Sequence, residues 1–285
     1  MKCFYKDEIK FSITKLKICI TYCLHLFFIK NNNKFYLDHM NIKKQIPNLI
    51  TLLNLLSGLI ALVYAFDDNL QMSFFWVSMG IFFDFWDGFA ARTLKVSSPL
   101  GVQLDSLADM VTSGVVPGVV MYQMLAHIQE NYEQYNVTDE TFYMKLVPFI
   151  GFIITLGSCW RLAKFNIDTR QTDSFIGLPT PANALFILSI PVIMSTTQFE
   201  ILIDIFSNPY VLVFISIFSA IIMNVELPLF SLKIKSKKIT DNKLSIFFLA
   251  ISVIGLILFK YTAVPFIIGF YILLSIIVNT QKKSA

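Results

Sequence analysis

Charge is what this sequence has least of. Only 15% of its 285 residues are Asp, Glu, Lys or Arg, where a soluble domain carries about 25%. Apolar residues fill the gap at 55% of the chain. They gather in blocks of about 17–22 residues, each long enough to cross a hydrocarbon core as a helix. An ordinary soluble domain is excluded, and the class is an integral membrane protein. Cysteine and histidine are also scarce, at four and three residues. Cys3, Cys19 and Cys23 lie near the start, and Cys159 stands alone in an apolar segment. No C-x2-C spacing occurs, so neither a zinc site nor a disulfide framework is predicted. From Ile42 onward there is no domain boundary and no internal repeat.

The apolar blocks predict an all-α, polytopic transmembrane helical bundle of about eight spans, near 48–66, 71–92, 105–126, 146–165, 182–198, 208–225, 244–259 and 262–279. Only Lys260 and Tyr261 separate the last two, which predicts a tight hairpin. Alternate loops differ in charge. Arg92 and Lys95, then Arg161, Lys164 and Arg170, then the five lysines of Lys233–Lys243, then Lys282 and Lys283 fall on one side. Asp67 and Asp68, then Glu130, Glu133, Asp139 and Glu140, then Glu200 and Asp204 fall on the other, with only Lys145 and Lys260 out of pattern. Lysine and arginine mark the cytoplasmic side, so both ends of the eight-span core are expected there.

Residues 1–39 form a basic extension poor in Gly and Pro, and residues 40–285 are expected to be the membrane domain. No small-residue cleavage site follows the early apolar run, which argues against a signal peptide. An interfacial amphipathic helix fits the interleaved lysines. "MNIKKQIPNLITLLN" also has the form of a natural start, and translation is expected to begin at Met40.

Four acids interrupt the apolar pattern in "DFWDGFAARTLKVSSPLGVQLDSLAD". Asp84 and Asp87 share a helix face at i,i+3, and Asp105 and Asp109 share one at i,i+4. Pro99 and Gly101 punctuate the turn between them. Two antiparallel helices so joined bring four carboxylates together at the cytoplasmic surface. Their mutual repulsion in a low dielectric calls for a cation. Oxygen ligands without Cys or His suit Mg²⁺, Mn²⁺ or Ca²⁺. Two ions would balance the charge, and two-metal sites serve in-line displacement at phosphorus. Gly88, Ala91 and Gly101 on these faces leave room for a phosphate-bearing substrate. An ion or proton pathway, as in a cation transporter, and structural pairing with Arg92, Lys95 or Arg161 remain alternatives. Transporter acids belong nearer the bilayer midplane.

The stretch resembles the signature of the CDP-alcohol phosphatidyltransferases, D-x2-D-G-x2-A-R-x8-G-x3-D-x3-D. Asp84, Asp87, Gly88, Ala91, Arg92, Gly101, Asp105 and Asp109 fill all its defined positions, a coincidence on the order of 10⁻⁷ by chance composition. The resemblance implies a six-span family core plus two C-terminal spans. It implies that Asp84, Asp87 and Asp105 hold divalent metal, Mg²⁺ or Mn²⁺, and the CDP diphosphate. Asp109 would be the general base, close to the metal as well, and Arg92 would neutralise phosphate charge. Pro47, Asn48, Thr51 and Asn54 would sit at the mouth of the first span, where the family contacts the CDP moiety. Of these, Asn48 and Thr51 join Gly88, Ala91 and Gly101 as candidate CDP-lipid contacts, with helix capping the alternative for Asn48.

Two further stretches, "IPNLITLLNLLSGLIAL" and "RLAKFNIDTRQTDSFIGLPTP", are similar to the phosphatidylserine synthase branch of that family. Lys164 stands where the branch usually has Arg. The implied reaction joins the phosphatidyl group of CDP-diacylglycerol to the hydroxyl of L-serine and releases CMP. Arg161 and Lys164 are then candidates for the serine carboxylate. Glycerol 3-phosphate and an inositol phosphate are the alternative acceptors, and each would require more basic residues beside the aspartates. The family further implies a homodimer in the cell (inner) membrane with its site facing the cytoplasm, membrane lipid as partner, and no nucleic acid. His127, at the far end of the third span, is expected to have no role.

Overall fold

A backbone in hydrocarbon must satisfy its polar groups within its own segment, which makes helix the form open to each apolar block. The computed structural model describes residues 42–96, 98–135, 144–168, 175–229 and 243–283. The expectations for residues 1–39 fall outside these.

Helix α1 is Ile42–Phe66 and α2 is Leu70–Leu94. Helix α3, Pro99–Asp109, runs through a π-helical turn, Met110–Val115, into α4, Val116–Tyr135. A 3-10 segment, Met144–Phe152, leads into α5, Ile153–Ile167. Then follow α6 (Thr180–Thr196), α7 (Glu200–Phe206), α8 (Pro209–Asn224), α9 (Lys243–Phe259) and α10 (Ala263–Lys283). Among the described residues the only sheet is a two-residue antiparallel bridge. In it β1, Phe175–Ile176, pairs with β2, Pro228–Leu229, tying the loop before α6 to the chain after α8. The all-α reading therefore stands.

Every predicted span is helical, yet fewer stretches pass a membrane-crossing test by length and apolarity. Among the described residues four do so: Gln45–Phe66, Pro99–Gln129, Lys145–Ile167 and Leu244–Val278. A fifth appears if α7 and α8, bent by 70° at their junction, count as one. Helix α6 is apolar but only 17 residues long, and Asp84, Asp87 and Arg92 dilute α2. Leu244–Val278 is not a straight rod. The Phe248 ring lies 5.5 Å from that of Tyr271 and 6.1 Å from that of Phe270. An unbroken helix would hold residues so far apart in sequence about 34 Å from each other. The chain reverses through Lys260–Thr262, where Lys260 takes a left-handed φ of 50°, as the predicted hairpin requires.

Residues Ile46–Ala285 make one compact unit. Its main core is built from Ala61 and Ala65 of α1, Val77 of α2, Val116–Leu125 of α4, Ile154 of α5, Ala184–Ile190 of α6 and Leu212 of α8. Large apolar side chains such as Leu49, Trp160, Phe214 and Ile257 face outward instead, the inversion expected where lipid is the solvent. Helices approach closely through small residues. A Cβ on Gly151 would lie 2.6 Å from the backbone nitrogen of Tyr122, so the 3-10 segment meets α4 backbone to backbone.

Candidate active site

The α2–α3 connection sets where the acids sit. Lys95 ends α2 in a left-handed conformation, its N–H bonded to the Ala91 and Arg92 carbonyls. Ser98 then caps α3, its Oγ accepting from the Gly101 N–H at 3.0 Å, with Pro99 at the first helical position. Proline's fixed φ and missing N–H fit that position. Helix α3 thus starts at Pro99, six residues before the predicted third span, with Asp105 inside it and Asp109 its last residue before the π-helical turn. The cap is written in "SSPLG", but apolarity alone placed the start later.

Asp84, Asp87 and Asp105 each turn a carboxylate oxygen to a common point, all within 4.8 Å of one another. Asp109 lies outside that trio and is 9% exposed; Asp87 is 7% exposed. Among the described residues no Lys, Arg or His forms an ion pair with any of the four. Asp105 Oδ1 is fully buried without a hydrogen-bond partner. Clustered carboxylates and an orphaned buried oxygen, with no protein cation closing on them, fit a hard divalent ion. Structural pairing with Arg92 or Lys95 is not what the geometry shows.

Helix α1 supports the cluster. The Thr51 hydroxyl donates to Asp87 Oδ2, with the Pro47 carbonyl as a second acceptor within reach. Asn54 Nδ2 donates to Asp109 Oδ1 at 3.1 Å. Thr51 is therefore at the site, though buried against an acid. Asn48 is half-buried at the open end, and a Cβ on Gly101 would lie 3.1 Å from its Oδ1. This contact brings the mouth of α1 against the start of α3. Gly88 and Ala91 are half-buried on α2; a Cβ on Gly88 would meet only Arg92 Nη2, at 3.9 Å, and Arg92 itself is exposed.

The two basic residues of α5 part company. Arg161 is 8% exposed, its guanidinium carbon is 5.9 Å from the Phe165 ring centre, and its Nε has no hydrogen-bond partner. Lys164 instead holds Glu226 at 3.2 Å, with both side chains partly exposed. Ser106 donates to Asn166 Oδ1 at 3.1 Å, joining α3 to the end of α5. His127 pairs with Asp68 at 2.9 Å.

The CDP-alcohol phosphatidyltransferase family model matches residues 44–228, a span that holds all four aspartates and every element bracing them. The chain belongs to the CDP-alcohol phosphatidyltransferase family. It is 34% identical over 164 residues to a CDP-diacylglycerol–serine O-phosphatidyltransferase of Bacillus subtilis, covering 56% of this chain and 80% of that protein. It is 31% identical over 144 residues to the enzyme of that name from Helicobacter pylori strain J99, covering 50% and 55%. With an archaetidylserine synthase of Methanothermobacter thermautotrophicus it shares 28% over 146 residues, covering 50% and 56%. The chain thus spans just over half the length of the last two. Membership in this family agrees with the apolar helices of a membrane-embedded protein.

Proposed function

We propose that this protein transfers the phosphatidyl group of CDP-diacylglycerol to L-serine, giving phosphatidylserine and CMP. The carboxylate trio with Asp109 beside it is the observation that carries the reading, and the chain's similarity to serine O-phosphatidyltransferases supports serine. In the proposed step the serine hydroxyl oxygen attacks the phosphorus of the phosphatidyl group. The bond from that phosphorus to the CMP oxygen breaks, CMP leaves with its electron pair, and the hydroxyl proton passes to Asp109. A positioned carboxylate of this kind contributes about 10²–10⁴-fold.

Asp84, Asp87 and Asp105, with Asp109 at the edge, would hold Mg²⁺ or Mn²⁺, two ions matching four carboxylates. Such ions, when bound, polarise phosphoryl oxygens and offset charge on the leaving phosphate. Asn48, Thr51, Gly88, Ala91, Gly101 and Arg92 line the approach for the CDP diphosphate, where small residues admit the phosphates and Arg92 offsets their charge. Arg161, buried with its Nε unpartnered, is the carboxylate anchor for serine, with Lys164 held back by Glu226. The catalytic domain is residues 40–285, placed in the cell membrane with the site at the cytoplasmic face, and it acts as a homodimer.

The test is CMP release by purified protein from CDP-diacylglycerol with Mn²⁺ or Mg²⁺, offering serine, glycerol 3-phosphate and inositol phosphate in parallel. Serine-dependent release is expected. Release with another alcohol alone would overturn the acceptor.

A further inference from the structure

Asn54 is fully buried, 0% exposed, one turn deeper in α1 than Thr51. A buried amide must be held by partners or its desolvation is uncompensated. Here its Nδ2 donates to Asp109 Oδ1 at 3.1 Å. Its Oδ1 has no partner at all, so the interior is not arranged to satisfy the amide for its own sake. What the site obtains from it is a fixed Asp109 Oδ1. The Asp109 side chain has no other hydrogen bond among the described residues, which leaves Oδ2 as the oxygen available to take a proton.

The backbone around Asn54 is locked with equal care. Thr112 Oγ1 donates to the Asn54 carbonyl at 3.1 Å. Thr112 is one turn beyond Asp109 and inside the π-helical turn. Two glycines make its berth. A Cβ on Gly58 of α1 would collide with Thr112 Oγ1, and one on Gly80 of α2 would come within 2.6 Å of Thr112 Cγ2 and 2.8 Å of Asn54 Oδ1. On the other side, Thr155 of α5 donates to the Gly114 carbonyl at 3.0 Å, bracing the same turn. Helices α1, α2 and α5 therefore converge on the stretch that carries Asp109, and Asn54 is where the lock touches the acid.

We infer that Asn54 is a positioning residue for proton removal, with Thr112, Gly58 and Gly80 holding it in register. This rests on Asp109 being the base. The test compares Asn54→Leu, near in volume without the donor, with wild type in the CMP-release assay, using whichever alcohol of the panel wild type accepts. A failure of serine as acceptor therefore shows in wild type and leaves the comparison intact.

A misaimed reacting group costs up to about 100-fold, so kcat is expected to fall about 10- to 100-fold. Both KM values should stay within about threefold, the signature of an interaction used in the transition state. Asn54→His, which retains a ring N–H donor, should recover part of kcat. Gly80→Ala, which removes no polar group but pushes on both Asn54 and Thr112, should lower kcat in the same way. An Asn54→Leu protein that melts earlier but turns over at the wild-type kcat would overturn the inference, as would a rise in KM alone. If Asn54→Leu does not fold, Asn54→Ser and Gly80→Ala decide by the same kcat criterion.

Discussion

Where α1, α2 and α3 meet, polar side chains reach from one helix to another: Thr51 to Asp87, Asn54 to Asp109, Thr112 to the Asn54 carbonyl. The α9–α10 hairpin shows contacts of another kind. Ser252 returns its hydroxyl to the Phe248 carbonyl of its own helix, and the two helices meet through the rings of Phe248, Phe270 and Tyr271. The first region lies within the family match at residues 44–228 and the second outside it. A lipid environment gives apolar contacts between helices little advantage over lipid itself. The hairpin can therefore exchange side chains at small cost, while each cross-helix bond at the site fixes the aim of an acid.

The sharpest way to test that contrast is to remove the acids. Asp109→Asn is expected to lower turnover about 10²–10⁴-fold while metal-dependent binding of CDP-diacylglycerol, read by isothermal calorimetry in detergent, stays near wild type. Surviving turnover would remove Asp109 from the role of base. Chelation with EDTA, or Asp84→Ala, should abolish both turnover and that binding, and Mn²⁺ or Mg²⁺ should restore the chelated wild type.

Arg161 comes next. A hydrogen bond to a charged group is worth about 1.5–3 kcal/mol, so Arg161→Leu should raise the KM for serine about 10- to 100-fold. The KM for CDP-diacylglycerol should barely move, and equal rises in both would place Arg161 elsewhere. On the hairpin side, Phe248→Leu should lower thermal stability by about 1 kcal/mol through lost ring contacts and leave kcat unchanged. A loss of kcat there would erase the contrast between the regions. Smallest of all, Glu226→Gln breaks a partly exposed ion pair worth about 0–1 kcal/mol. It should leave the serine KM unchanged if Lys164 takes no part in binding, and change it if the freed Lys164 does.

The acids and the helices bearing them were legible because spacing is a strong signal in an apolar background. Four charges at i,i+3 and i,i+4 announce shared faces whatever surrounds them. The start of α3 was less so, since Ser98 and Pro99 set it by capping while hydropathy rises only later. The short helix α7 and its 70° bend into α8 carry too few residues to give a period of their own. Asn54 is polar within "LLNLLSG", but its partner is 55 positions away, and no local pattern names that. Arg161 and Lys164 look alike on one helix end. Only packing shows that one is buried beside the Phe165 ring and the other is paired with Glu226.

A π-helical turn, Met110–Val115, joins α3 to α4. A π turn amounts to one residue more than an α-helix needs over the same stretch, and one residue is about 100° of rotation. These six residues thus act as a phase shifter inside a single long helix. On one side the chain is in phase with the carboxylate trio, and on the other with the packed core along Val116–Leu125. Deleting a single residue there would leave an unbroken helix whose two halves no longer agree on which way is inward.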